Sequence, residues 1–306
     1  MKSVKTYVLA CVIGFFSISC ETASSRSDKG RLYETDAFRN YWYSGKAELN
    51  SYNLEQSRYG ELRDGKAVLI FVTEDFSQKK QVKLDDPVKA KNDKVSVLKM
   101  NFTKNFVTGI YPYSMMLSVF TPVSRKQFSS SLKATMTSQE WCGHVFNQLN
   151  LKGKKYSVSA YSYFEQEGDE KITLDKVLLE DELWNIIRLE PKNLPLGNFK
   201  MIPGLFFTRL KHTDLKVMTV NAVKSENKSE ILYTISLKDQ ERILAIRFER
   251  SFPHKILGWE ESFTERGKAT LTKAVLDKTI ITDYWTKNKN EFRYLRDSLN
   301  LSPNNY

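Results

Sequence analysis

The stretch KAVLIFVTEDF, from Lys66 to Phe76, decides the fold. Its apolar residues occupy both alternating faces, and β-branched and aromatic side chains dominate it. It comes directly after Arg63-Asp64-Gly65, a sequence typical of a turn. The stretch therefore predicts a central strand that is covered on both faces.

Outward from this strand, apolar residues alternate with polar or small ones, which is the pattern of a sheet with one packed face. The strands predicted in this way contain Leu98, Met100 and Phe102; Tyr113, Met115, Leu117 and Val119; Tyr156, Val158, Ala160 and Phe164; Ile231, Tyr233, Ile235 and Leu237; and Leu244, Ile246 and Phe248. Turns are predicted at Gly153, at Glu167-Gly168-Asp169 and between Ser225 and Ser229.

Three segments have helical patterns. A short helix is expected near Asp36 to Trp42, and a second begins at Glu180, buries Leu183, Ile186 and Ile187 on one face, and ends before Pro191. The third is predicted within residues 282–303, with an apolar stripe of Tyr284, Trp285, Phe292, Leu295 and Leu299. Because strands and helices do not alternate as βαβ units, the chain is predicted to be mainly β. We expect a strongly curved antiparallel sheet or an open barrel with two or three peripheral helices, over residues 32–306. This region is either one domain or two halves joined near residues 190–200.

The first nineteen residues have the organisation of an export signal. Lys2 and Lys5 precede an uncharged apolar stretch from Tyr7 to Ser19, too short for a membrane-spanning helix. The small residue Ser19 stands directly before Cys20, as in the lipobox of bacterial lipoproteins. We expect cleavage after Ser19, acylation of Cys20 with chains such as palmitate, and a flexible polar tether over residues 20–31. The protein is then exported and lipid-anchored in the cell envelope, at the outer membrane facing the periplasm.

The whole chain has a formal net charge of +11. Removal of the signal takes away two lysines and no acid, so the mature charge is 45 minus 36, or +9. Export argues against nucleic acid as a partner. A basic surface in the envelope suits an envelope protein, a lipid or an anionic polymer. The alternative is that the lysines only solvate the surface.

Chemistry-bearing residues are few. With Cys11 in the signal and Cys20 acylated, Cys142 is the only thiol of the mature domain. If Glu140, Cys142 and His144 lie on one strand they share a face, and Cys142 with His144 is a weak candidate for a nucleophile and its base. The alternative is a buried structural cysteine. The adjacent acidic pairs Asp85-Asp86, Glu180-Asp181 and Glu260-Glu261 are interpreted as solvated charge. No metal site or cofactor is predicted, and phosphate-binding and hydrolase motifs are missing from the sequence.

A resemblance adds to this interpretation. The stretch YWYSGKAELNSYNLEQSRYGELRDGKAVLIFVTEDFSQKKQVKLDD from Tyr41, with YPYSMM, SQEWCGH, LLEDELW and LPLGNFKMIPG, resembles an uncharacterised lipoprotein family of Flavobacteria and other Bacteroidota. Members often carry the automatic label "septum formation inhibitor Maf", although the S-x-S-P-R-R motif of that cytoplasmic family is missing here. Asp297-Ser298-Leu299 also resembles the short O-glycosylation sequon of Bacteroidota, which makes Ser298 a weak candidate site.

The sequence favours a non-enzymatic envelope lipoprotein that binds an apolar ligand or an envelope partner. A concave sheet could hold an acyl chain, with a lining formed by Met115, Leu117, Val119, Leu244, Ile246 and Phe248. Two alternatives remain: an enzyme that depends on Cys142 and His144, and the septum-formation role that the automatic label suggests.

Overall fold

A computed structural model describes residues 35–265 and 267–301 of the chain. The predicted signal, the acylation site Cys20 and the predicted tether lie outside the described residues. Within the described part, no helix is both long and apolar enough to cross a bilayer.

The described residues form fifteen strands and four α-helices. The strands are β1 Ala47–Arg58, β2 Glu61–Ser77, β3 Lys94–Thr108, β4 Tyr111–Pro122, β5 Lys133–Glu140, β6 Gly143–Lys152, β7 Lys155–Tyr161, β8 Glu170–Asp175, β9 Leu178–Leu179, β10 Gly197–Ile202, β11 Met218–Glu226, β12 Glu230–Leu237, β13 Arg242–Glu249, β14 Ile256–Glu265 and β15 Lys268–Thr282. The helices are α1 Asp36–Trp42, α2 Leu183–Leu189, α3 Leu205–Lys211 and α4 Tyr294–Ser298.

All fifteen strands belong to one sheet that does not close. Its order is β8-β7-β6-β5-β4-β3-β2-β1-β15-β14-β13-β12-β11-β10-β9, so β1 and β15 join the early and late strands in its middle. Neighbouring strands pair antiparallel, except β9 and β10, which are parallel. The prediction of a mainly β protein with a curved, open antiparallel sheet is confirmed.

Strand β2 lies near the middle of the sheet and is covered on both faces, as its sequence predicts. Leu69 and Phe71 belong to the main core, whereas Val68 and Val72 pack in a second cluster on the opposite face. The predicted turn at Arg63-Asp64-Gly65 is wrong, because β2 already begins at Glu61. Gly65 instead allows β3 to approach closely: a Cβ there would lie 2.4 Å from the backbone oxygen of Asn105.

The concave side of the sheet is filled by helices α2 and α3. The ring of Phe102 has its centroid 5.3 Å from that of Trp184 in α2, 5.2 Å from that of Phe206 in α3 and 5.1 Å from that of Trp259 in β14. The second predicted helix ends before Pro191 as expected, but α2 begins only at Leu183, after a 3₁₀ turn over Glu180–Glu182. All seven residues of α2 are buried, rather than one apolar face. Helix α3 was not predicted from the sequence.

The long helix predicted near the C-terminus is wrong. Residues 284–286 and 290–292 form short 3₁₀ turns, and α4 covers only five residues. The segment nevertheless packs on the sheet, since Leu299 and Leu301 cover Val68 and Val72 of β2. The early helix α1 is confirmed with the predicted bounds.

Candidate functional site

Four connections, every second one along β1 to β8, lie at one end of the early half of the sheet, because these strands run alternately up and down. They are the two-residue turns 59–60, 109–110 and 141–142, and the loop 162–169. Two-residue hairpin turns favour Gly, Asn and Asp, which adopt the required backbone angles without strain. Glycines occupy two positions here, but the others are Tyr59, Ile110, Trp141 and Cys142.

These turns expose large apolar side chains. Ile110 is 77% exposed and Trp141 is 69% exposed, and Tyr59 is also exposed. Tyr163, on the next loop, is exposed as well. In the described part of the chain, neither Ile110 nor the Trp141 side chain has a hydrogen bond or a ring contact that would explain its identity. We call Tyr59, Ile110, Tyr111, Trp141 and Tyr163 the hairpin-tip surface.

Contacts between tyrosines join the first two tips. The hydroxyls of Tyr59 and Tyr113 lie 2.9 Å apart, and the guanidinium of Arg58 lies 4.2 Å from the centroid of the Tyr59 ring. Arg58 is itself fixed, because it donates to the backbone oxygen of Leu210 in α3. A hydrogen bond to Tyr59 raises the pKa of Tyr111. The tips are therefore held by a rigid base rather than by loose loops.

The segment around Cys142 forms the third tip. Strand β5 ends at Glu140 and β6 begins at Gly143, so the single strand on which Glu140, Cys142 and His144 would share a face is wrong. Cys142 is exposed in the turn rather than buried in the core. Its backbone N–H donates to Glu140 Oε2 at 2.6 Å, and Tyr163 donates to Glu140 Oε1 at 2.6 Å.

This geometry does not favour a nucleophilic thiol. A hydrogen bond to Glu140, with a smaller desolvation effect, raises the pKa of Cys142, whereas a nucleophile needs its thiolate. His144, on β6, pairs with Gln139 on β5, and within the described residues no hydrogen bond joins its ring to Cys142. The catalytic pairing of these two residues stays a prediction without geometric support.

A polar cleft of about 490 Å³ lies next to the third tip, between the loop 162–169 and the end of α3. His212 Nδ1 lies 2.6 Å from Glu167 Oε1, and Ser162 donates to Glu167 Oε2 at 2.6 Å. The guanidinium of Arg209 lies 4.5 Å from the centroid of the Phe164 ring. Phe164, which was predicted to lie on a strand, belongs to this loop instead.

The six residues predicted to line a ligand cavity are all buried in the main core. They are Met115, Leu117, Val119, Leu244, Ile246 and Phe248. Of these, Leu117 and Leu244 line an interior cavity of about 30 Å³, which has room for about one water molecule. Side chains of α2 and α3 occupy the concave side where an acyl chain was expected.

That small cavity is surrounded by charged groups. Arg242 donates two hydrogen bonds of 2.6 Å to Glu180 and one of 2.7 Å to Glu261. Lys104 and Asp181 complete the buried set. The interpretation of Glu180-Asp181 as solvated charge is therefore wrong, and of the Glu260-Glu261 pair only Glu260 is exposed.

Asp181 has the most perturbed carboxyl of this cluster. Burial, assisted by the charge of Glu180, raises its pKa to about 8, although the backbone N–H of Leu205 donates to it at 3.1 Å. Gly204 is required beside it, because a Cβ there would lie 2.5 Å from Glu180 Oε1. The cluster fixes the turn between β10 and α3 against β13 and β14.

Other predicted residues lie apart from these sites. Ser298 is exposed at the end of α4, where its hydroxyl donates to the Tyr294 backbone oxygen, and its glycosylation stays a prediction. His254 lies in the connection between β13 and β14, far along the chain from His144 and His212. The residues that the structure describes contain no group of three histidine, cysteine or acidic side chains placed to hold a metal ion.

The hairpin-tip surface was missed from the sequence, although a signal is present. Tyr59-Gly60 and Gly109-Ile110 are glycine-containing dipeptides between alternating runs, which is the signature of hairpins. Large apolar residues beside such glycines are the unusual feature.

In comparisons with known proteins, no family model matches the chain and the search of curated proteins gives no significant match.

Proposed function

We propose that this protein is a non-enzymatic lipoprotein of the bacterial cell envelope that binds an envelope protein through its hairpin-tip surface. The observation that supports this most strongly is that the strongly exposed side chains of Ile110 and Trp141 lie on neighbouring hairpin turns at one end of the sheet. Exposed apolar side chains grouped on neighbouring turns are typical of surfaces that contact another molecule.

The composition of this surface agrees with a protein partner. Tyrosine, tryptophan and arginine are the residues that contribute most at protein interfaces. Here Tyr59 contacts the rigid base that Arg58 and Tyr113 form, and Trp141 and Tyr163 are exposed at the same end of the sheet. A preorganised surface loses little side-chain entropy when a partner binds.

The apolar-ligand alternative has weaker support, because aromatic side chains fill the concave side of the sheet. The enzymatic alternative is disfavoured by the raised pKa of Cys142. We expect Cys142→Ala to retain partner binding, and we expect lipid extraction of the purified protein to yield no acyl chain in stoichiometric amount.

Co-purification from envelope extracts tests partner binding. We expect an Ile110→Ser/Trp141→Ser double variant to recover a specific partner at least about tenfold less well than the natural chain, as loss of one or two interface hot spots implies. The matched control is Leu196→Ser/Val223→Ser, because these side chains are similarly exposed elsewhere. Equal recovery by both variants would contradict the proposal.

Mass spectrometry of the mature N-terminus tests the anchor separately. A diacylated cysteine at position 20 is the expected result, since the apolar stretch ends in Ser19-Cys20. An unmodified residue after Ser19 would refute lipid anchoring and leave the binding test unaffected.

A further inference from the structure

The end of the sheet opposite the hairpin tips is strongly basic. Its four connections are the loops 78–93, 123–132, 153–154 and 176–177, which we call the lysine-rich end. They hold nine lysine or arginine residues and three aspartates, a net charge of +6. The four connections at the hairpin-tip end hold three acidic residues and no lysine or arginine, a net charge of −3.

The loops of the lysine-rich end form one continuous surface. The side chain of Gln81 donates to the backbone oxygen of Leu151 at 2.6 Å, which ties the first loop to the end of β6, just before the third loop. The backbone N–H of Lys176 donates to the oxygen of Lys154 at 3.0 Å, which ties the third to the fourth. Asp93 holds the first loop closed by accepting from Ser77 and from the Lys79 backbone.

Most of the basic side chains on this surface point to solvent without a partner. Lys79, Lys80, Lys83 and Lys91 are exposed, and none forms an ion pair within the described residues. Val88, on the same loop, is 87% exposed between Pro87 and Lys89. Lysines around an exposed apolar side chain are the combination with which proteins attach to anionic bilayer surfaces.

The start of the folded domain lies at the same end. Helix α1 begins at Asp36, and the hydroxyl of Tyr43 just after it lies 3.0 Å from Ser96 Oγ near the start of β3. Cys20 and Thr35 are fifteen positions apart in the sequence, and a chain segment of that length spans at most about 50 Å. An anchor at Cys20 would thus keep the lysine-rich end within reach of its own bilayer.

From these observations we infer that the lysine-rich end binds the anionic phospholipid surface of the membrane. This second membrane contact rests on the proposed lipid anchor for its location in the cell, but not for its chemistry. Binding through this end directs the hairpin-tip surface away from the bilayer.

Vesicle sedimentation of a chain without the anchor tests the inference. Because the described residues belong to one compact unit, a chain of residues 21–306 carries the whole of that unit. We expect binding to vesicles of phosphatidylcholine with about one third phosphatidylglycerol, weak binding to phosphatidylcholine alone, and release at high salt, since screening weakens such contacts.

Two charge-matched variants separate a specific surface from net charge. Lys79→Gln/Lys80→Gln/Lys83→Gln/Lys91→Gln should lower the partition onto anionic vesicles at least about tenfold. The control replaces Lys171, Lys216, Lys238 and Lys268, which are exposed outside the lysine-rich end, by Gln and should retain most binding. Equal loss in both variants would overturn the inference.

Two further arms make the outcome decisive. A Val88→Asp variant should also bind the anionic vesicles less tightly. Retention of the natural domain on dextran sulfate, without sedimentation on the anionic vesicles, would assign the surface to polymers and overturn the lipid assignment. An unmodified Cys20 would refute the proposed anchor but would leave the vesicle result standing.

Discussion

At the scale of single residues, a buried ion pair connects an interior helix to the sheet. Arg188 of α2 is fully buried and donates to Glu48 of β1 at 2.5 and 2.6 Å, and its guanidinium lies 4.7 Å from the centroid of the Phe71 ring. Although burial opposes its charge, Arg188 holds the pKa of Glu48 down at about 2. The pair connects the interior helix to the middle of the sheet.

We expect Arg188→Ala to lower the free energy of unfolding by about 3–5 kcal/mol, because Glu48 would stay buried without its partner. The control is Lys155→Ala, which breaks the exposed pair with Asp175 and should cost less than about 1 kcal/mol. Urea unfolding at pH 7 measures both. A loss of less than 1 kcal/mol for Arg188→Ala would show that the pair does not hold α2 in place.

Asp181 predicts a pH dependence with a defined sign. An unfolded aspartate titrates near pH 4, whereas in the fold the pKa is raised to about 8. Between these values the folded state keeps a proton that the unfolded state releases. The contribution of Asp181 is therefore fully present below about pH 4 and is lost as the pH rises to about 8.

Unfolding measured at pH 5 and pH 8 for the natural chain and Asp181→Asn checks this. The asparagine can still accept from the Leu205 N–H, but it carries no titrating proton. We expect the variant to gain stability relative to the natural chain by a few kcal/mol between the two pH values. The comparison cancels histidine titration, and a difference that is the same at both pH values would contradict the raised pKa.

At the scale of elements, the C-terminal segment covers the outer face of the sheet, although its sequence pattern predicted a long helix. Leu299 and Leu301 are buried on the outer face of β1 and β2. We expect Leu299→Ala to cost about 2–4 kcal/mol of unfolding free energy, since a buried leucine leaves a cavity. Tyr294→Ala in the adjacent exposed helix should cost less than about 0.5 kcal/mol. Equal, small effects would mean that the segment does not cover β2.

Local patterns in the sequence were enough for the strands whose faces differ in polarity. Ile231 to Leu237 and Leu244 to Phe248 lie in β12 and β13 as predicted. Local patterns could not show that β2 continues through Gly65 instead of turning there, because this depends on the close approach of β3. The helical period over residues 282–303 failed because the segment packs through its last leucines and not along a stripe.

The candidate sites depended on contacts between distant parts of the chain. Glu180-Asp181 looked solvated because its partner Arg242 lies 62 residues further along the chain. The burial of α3 likewise depends on strands that are far from it in the sequence. In contrast, the hairpin-tip residues are visible in the sequence as large apolar side chains beside turn glycines, once the turns themselves are known.

For the whole molecule, the two ends of the early strands differ in charge and apolarity. The lysine-rich end carries a net charge of +6 and the start of the domain, whereas the opposite end carries −3 and the hairpin-tip surface. In the function proposed above, the lysine-rich end would face the membrane and the hairpin-tip surface would face the partner. Partner binding is the activity proposed for this protein, because a lipid anchor would set only where the protein is located.

Photo-crosslinking in living cells tests partner binding through the hairpin-tip surface most directly. A photoreactive phenylalanine analogue is placed at position 110, at position 141 or at the similarly exposed position 196. We predict that positions 110 and 141 give a crosslinked product of the same mass, whereas position 196 does not. No product from either tip, or the same product from position 196, would contradict the account.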